Sequence, residues 1–126
     1  MTYRVLITGG RDWRDVDTIR RALAGLPDGS IIVHGAASGA DAIAHSLALS
    51  LGHTPEPHWP DYANDPARLA PKERNQYMVN LGADLCLAFP TARSRGTWHC
   101  VRLAQTAGIE VQVFGDYSLK KVNVTA

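Results

Sequence analysis

Cysteine is scarce: Cys86 and Cys100 are the whole complement, with no CxxC pair and no second pair to complete a zinc set. Two reduced thiols are therefore expected rather than a disulfide scaffold or a metal site. Charge of one sign is also missing, since 13 basic against 12 acidic residues leave a net charge of +1. That balance excludes a protein that coats a polyanion by bulk charge, and leaves room only for a local basic site. On this ground a nucleic-acid partner is ranked last. No stretch approaches the ~18 consecutive apolar residues of a membrane span. The start, Met1 to Ile7, turns polar too soon for a secretory signal, so a cytoplasmic address and no membrane partner are expected. Two nucleotide signatures are absent as well. No G-x-G-x-x-G follows the first apolar run and no G-x-x-x-x-G-K-[ST] occurs anywhere, which argues against an ordinary dehydrogenase or P-loop hydrolase.

What is present is a globular composition, 45% apolar and 20% charged in 126 residues, enough for one domain spanning 1–126. Three apolar runs predict buried strands at Tyr3 to Thr8, Ser30 to His34 and Asp84 to Phe89, and Glu110 to Phe114 predicts a fourth. His53 to Trp59 predicts another strand, which Pro55 and Pro57 would confine to an edge. Between the strands lie helical stripes: Val16, Ile19, Leu23 and Leu26, then Ile43, Ala44, Leu47, Ala48 and Leu51 closed by Gly52. A third helix opens with Pro71 and ends near Gly82, and a fourth around Val101, Leu103 and Ala104 ends before Gly108. Strands apolar on both faces, alternating with single helices, imply right-handed crossovers in a parallel sheet. The expected fold is α/β, a Rossmann-like three-layer sandwich with a mostly parallel sheet of about five strands. Its core runs from about 3 to 114, with a patternless tail at 115–126.

In such sheets ligands bind outside the carboxyl ends of the strands. Three loops there carry glycine: Gly9-Gly10-Arg11-Asp12-Trp13-Arg14, then Gly35-Ala36-Ala37-Ser38-Gly39-Ala40-Asp41, and Pro90-Thr91-Ala92-Arg93-Ser94-Arg95-Gly96-Thr97 with Gly96-Thr97 at a helix start. Glycine lets backbone N–H groups approach an anion, and a helix N-terminus adds partial positive charge, so the expected ligand carries phosphate. Ten of the 13 basic residues are arginine. Arg11, Arg74, Arg93 and Arg95 sit on or beside the loops, where a planar fork can hold phosphate. Arg20, Arg21 and Arg102 fit a general arginine bias, and Lys72 reads as solvated surface.

The stretches Val5 to Trp13 and His34 to Asp41 resemble the SLOG superfamily of Rossmann-like nucleotide-binding domains, and most of all its small stand-alone members of the YspA type from bacteria and phages. Arg74-Asn75 with Met78, and Ala88-Phe89-Pro90 with Ser94 to Thr97, carry the resemblance further. It implies binding of a nucleotide or nucleotide-derived small molecule, as a sensor, sequestering or accessory protein. The glycine loops would hold phosphate, Arg11 and Arg95 its charge, and Arg74-Asn75 the sugar–phosphate region; no separate cofactor is implied. Two relatives frame the alternatives. Arg74 is similar to an arginine of the Lonely Guy phosphoribohydrolases, which cut the base–ribose bond of a nucleoside monophosphate. Their glutamate, however, falls on Cys100 here, and Thr91-Ala92 replace their paired glycines, which leaves the activity uncertain. In the DNA-processing protein A family a segment similar to His34 to His45 belongs to a single-stranded-DNA-binding domain.

Other groups have plainer readings. Asp41 and His45 are spaced i,i+4 beside His34, a pattern more often a hydrogen bond than a metal site, and Asp41 is expected to order its loop or accept a ribose hydroxyl. His99 and Cys100 point about 100° apart on a helix, which argues against a thiol–imidazole pair. Trp13, Trp59 and Trp98 fall at the ligand edge, most of them as anchors. Leu47, Leu49, Leu51 and Leu81 exceed what one small sheet can cover and suggest a homo-oligomer. The long loop Pro60 to Ala70 is expected to wall the ligand, with Tyr62 and Asn64 inward and Asp61 and Asp65 outward.

Overall fold

The computed structural model describes residues 2–65 and 68–115. The segment 116–126, most of the expected tail, lies outside the described residues. Five strands, β1 (Arg4–Gly9), β2 (Ile31–His34), β3 (Thr54–Pro57), β4 (Leu85–Phe89) and β5 (Val111–Val113), form one all-parallel sheet in the order β3-β2-β1-β4-β5. The helices are α1 (Val16–Ala24), α2 (Ala40–Ser50), α3 (Ala70–Asn80) and α4 (Arg95–Thr106). The Rossmann-like three-layer sandwich expected from the strand and helix periods is thus the fold.

Alternation along the strands divides the core. Val5 and Ile7 of β1 face α1 and α2, where they meet Ile19, Leu23 and the small row Ala40, Ala44 and Ala48. Leu6, one residue out of phase, faces α3 and α4 with Cys86, Met78, Cys100 and Ala104. Asp15 caps α1 by accepting from Thr18 N at 3.1 Å, which leaves Val16, expected in the buried stripe, outside the core. Pro71 stands in the first turn of α3, and Gly52, Gly82 and Gly108 follow α2, α3 and α4 in the left-handed region. The edge strand β3 carries Pro55 and Pro57, as expected of a strand that pairs on one side only.

Two further expectations are corrected, at Gly9 and Leu47. Gly9 is the last residue of β1, paired with Phe89, rather than the first of the loop. Leu47 packs against the core. Leu49, Leu51 and Leu81 are exposed, but α2 and α3 cover opposite faces of the sheet, so these leucines do not share one layer. Both thiols are free and buried. Among the described residues no helix is long and apolar enough to cross a membrane.

Candidate functional site

The chain leaves β1 for one face of the sheet and β4 for the other, so a crevice opens between their carboxyl ends. It is a cleft of about 1290 Å³. Gly9, Gly10, Arg11, Asp12, Asp41, Arg74, Asn75, Arg95, Gly96 and Thr97 of the expected site line it; Gly35, Ala36 and Gly39 do not.

Side chains clip the first and last loops together across this crevice. Thr91 Oγ1 donates to Asp12 Oδ1 at 2.6 Å, and Thr91 N donates to the buried Ser94 Oγ, also at 2.6 Å. With the Thr91 proton so committed, the 3.0 Å contact between the two hydroxyls has Ser94 as donor. The Thr91 bond is also the main reason the Asp12 carboxyl lies below its ordinary value. A Cβ on Gly10 would sit 2.4 Å from Thr91 Oγ1, so this glycine makes room for the clip.

The second loop folds around a carboxylate. Asp41 Oδ2 accepts from Gly35 N at 2.9 Å and Ala37 N at 3.4 Å, while Ala36 N donates to His34 Nδ1 at 3.0 Å. Three successive amides, expected to cradle a phosphate, are thereby taken by the protein itself. The glycines have a packing reason: the Arg74 guanidinium fills the space beside Gly35, and the backbone of Gly10 and Arg11 fills that beside Gly39. Asp41 is only 5% exposed, and its Oδ1 has no hydrogen-bond partner among the described residues. Burial pushes this carboxyl up to about 6, against the opposing pull of the Ala37 and Gly35 amides, Arg74 and Arg11.

Because His34 Nδ1 accepts from Ala36, its proton rests on Nε2, which donates to His45 Nδ1 at 2.9 Å. Burial, then His45, His58 and Arg74, lowers the His34 imidazole to about 4. His34, Asp41 and His45 do not converge on a point, and among the described residues no group of three or more His, Cys, Asp or Glu does.

Arg74 is anchored rather than loose. Its Nη1 donates to Gly35 O and, at 3.5 Å, to His58 O; its Nε donates to Asn75 Oδ1 at 2.9 Å. Asn75 in turn donates to Gly96 O at 3.5 Å and contacts His99 Nδ1, tying α3 to α4. Cys100, where the resemblance to the Lonely Guy enzymes would put their glutamate, lies in the core with its thiol pushed up to about 11 by burial. It supplies neither a carboxylate nor a thiolate at neutral pH.

The first turn of α4 is the open end. Ser94 Oγ is spent on Thr91, so α4 has no side-chain cap, and no acidic residue stands in its first turn. Gly96 has nothing within 4 Å of where a Cβ would project. Around it the cleft gathers six cations, Arg11, Lys72, Arg74, Arg93, Arg95 and Arg102, against Asp12 and Asp41. The near-neutral sequence therefore conceals a basic cleft, with Lys72 and Arg102 part of it rather than plain surface. The spacing of Arg95, His99 and Arg102 along one helix face was a signal for Arg102 alone; Lys72, on α3, had none. The expected wall is different too. Residues 62–64 form an exposed 3₁₀ turn that does not line the cleft, though Tyr62 is near enough to act on Arg74. Residues 66–67 of the wall lie outside the described residues. Asp65 Oδ1 accepts from Leu69 N at 2.6 Å and Ala70 N at 3.1 Å at the start of α3. Trp13 is an anchor, edge-on to Phe89 with its Nε1 donating to Asp15 O at 2.9 Å; Trp98 lines the cleft, and Trp59 is exposed.

Comparison with known proteins agrees with this architecture. The pattern of the "YspA, cpYpsA-related SLOG family" matches residues 3–64. Gene 61 protein of Mycobacterium phage D29 is 48% identical over 122 residues, covering 90% of this chain and 97% of that protein. DNA processing protein A from Streptococcus pneumoniae superposes with a TM-score of 0.73 at 20% identity, over 89% of this chain and 50% of that one. DNA processing protein A from Helicobacter pylori, which binds single-stranded DNA, superposes at 0.67 with 23% identity, over 88% and 64%. The chain thus spans half to under two thirds of these structures, and at such identities the likeness is one of fold.

Proposed function

The chain belongs to the YspA, cpYpsA-related SLOG family, and from that premise we propose that its cleft binds a nucleotide or nucleotide-derived small molecule, in the cytoplasm, as a sensor, sequestering or accessory protein. The observation that carries this reading is Asp41 Oδ1, a buried acceptor with no partner among the described residues, on a cleft where cations outnumber carboxylates. Such an oxygen calls for a donor, and the cations call for an anion. A nucleotide brings both, a ribose hydroxyl or base amine for Asp41 and phosphate for Arg95 and the uncapped amides of α4. The phosphate is assigned to this helix end rather than to the amides of the second loop, which Asp41 and His34 occupy.

A panel of nucleoside monophosphates should raise the melting temperature of the native protein. Arg95→Gln is expected to weaken binding roughly 10-fold, and the Arg74→Gln/Arg95→Gln pair to abolish the shift. No shift with any nucleotide would remove the reading. Cleavage of the base–ribose bond would leave Asp41 to act as the acid, since Asp12 is bonded to Thr91 and Cys100 is buried. Free base released above background from a monophosphate would establish it.

The six cations support a second reading, single-stranded nucleic acid, which the net charge alone disfavours. It predicts a mobility shift on short strands whose affinity falls steeply with salt. The exposed Leu49, Leu51 and Leu81 leave a homo-oligomer as part of the proposal. Light scattering at 13.7 kDa, the mass of one chain, would remove it.

A further inference from the structure

Arg95, Trp98, His99, Arg102 and Gln105 of α4 all line the cleft. Their intervals of three and four place them on one face, so the cleft continues along the helix well beyond its first turn. Arg95 and Arg102 are seven residues apart, about 10 Å of helix axis. Helical side chains lean toward the N-terminus, so Arg95 leans to the loop of Arg93 while Arg102 leans over the turn of His99. Lys72, in the first turn of α3, lines the same cleft. After burial itself, Lys72 and Arg102 are what hold the His99 imidazole below its ordinary range, so both charges stand near that ring. Asn75, which contacts the His99 ring and holds Gly96 O, is uncharged, and the cleft cations Arg74 and Arg95 add no negative charge here. Neither cation has a hydrogen bond or ion pair with any described residue, and both are exposed. Two like charges facing one uncharged ring repel one another, and an anion held between them would more than offset that repulsion.

We infer that Lys72, His99 and Arg102 form a second phosphate subsite, and that the cleft takes a nucleoside carrying a phosphate on each side, a 3′,5′-bisphosphate unit. This rests on the nucleotide reading of the cleft and extends it. One phosphate lies at Arg95 and the first turn of α4, the other a turn or two further along the helix. A monophosphate or a pyrophosphate, whose charge is at one end, fills only one subsite. The same unit exists as a free small molecule and as an internal residue of a single strand.

Calorimetry on the native chain with adenosine 5′-monophosphate, adenosine 3′,5′-bisphosphate and a short oligodeoxyadenylate tests this, repeated with the other three bases, while NMR follows the His99 ring. The bisphosphate should bind at least about 10-fold more tightly than the monophosphate. That ratio should fall to within about twofold in Lys72→Gln/Arg102→Gln, whose exposed side chains leave folding intact. The His99 titration should move upward with the bisphosphate and not with the monophosphate. An oligonucleotide that outbinds the bisphosphate identifies a strand as the source, and the reverse identifies a small molecule. Equal affinities with an unmoved His99, or a ratio that survives the double variant, overturn the second subsite and leave the nucleotide reading standing. Failure of every ligand to bind overturns both.

Discussion

Alanine at position 39 is expected to cost roughly 3–5 kcal/mol of stability, the sum of backbone strain and a clash that cannot relax. Gly39 sits at φ 74° and ψ −125°, a region that side chains avoid. A Cβ there would lie 2.3 Å from Gly10 O and 2.4 Å from Arg11 O. Those atoms are backbone, and Gly10 O also accepts from Ala40 N at 3.1 Å, so the first loop cannot retreat without giving up that bond. The melting temperature should fall by on the order of 10–20 °C. Gly96→Ala is the contrast. It lies in the first turn of α4 with open space around it, so alanine should raise stability by about 0.5 kcal/mol while obstructing the anion proposed to approach there. Urea titration of both variants measures the difference. A Gly39→Ala protein as stable as wild type would mean the two loops are not packed as described.

That contrast explains what the sequence could and could not disclose. The fold was legible because periodicity is local: Val5 and Ile7 alternate with Leu6, and Ile19 and Leu23 share a stripe, wherever the rest of the chain goes. Pro55 and Pro57 marked an edge strand for the equally local reason that proline donates no hydrogen bond. Glycine in a loop is different. The sequence shows that a side chain is missing, but not what occupies its place, and at Gly10, Gly35 and Gly39 the occupant is protein rather than phosphate. Lys72 and Arg102 escaped notice because they lie on different helices and meet only at His99. Asp41 was visible as a loop-ordering or hydroxyl-accepting residue, and it has the geometry for both, with one oxygen on Gly35 and Ala37 and the other without a partner among the described residues. Which oxygen does which is three-dimensional information.

Asp41→Asn is expected to make the protein more stable at pH 8 and a poorer binder. Burial raises the folded-state carboxyl from 3.8 to about 6, a native-state penalty of about 3 kcal/mol once the group is ionised. The sign follows from the protons bound. Between pH 4 and 6 the native state holds a proton that the unfolded chain has lost, so this residue lowers stability as pH rises, and the full penalty applies above pH 6. Asparagine can turn its oxygen to Gly35 N and Ala37 N and place its amide nitrogen where Oδ1 now stands. It removes the buried charge but leaves a donor in place of the acceptor, so the net gain at pH 8 should be about 1–2 kcal/mol. Below about pH 4, where Asp41 is neutral and the penalty is gone, only the misplaced donor remains, so the variant should be less stable than wild type by about 1–2 kcal/mol. The comparison must be a difference between variants, because His34 acts in the opposite direction. Its imidazole is lowered to about 4, so the unfolded chain binds the extra proton and stability rises with pH from about 4 to 6.5. The two residues offset each other in the wild-type profile, and only the variant exposes the His34 slope. Affinity for the nucleoside monophosphates should fall at least about 10-fold, because a ligand hydroxyl or amine would meet a donor where it now meets a carboxylate. A stability difference that does not change with pH would mean that Asp41 carries no buried charge. Unchanged affinity would mean that its Oδ1 is not where the ligand binds.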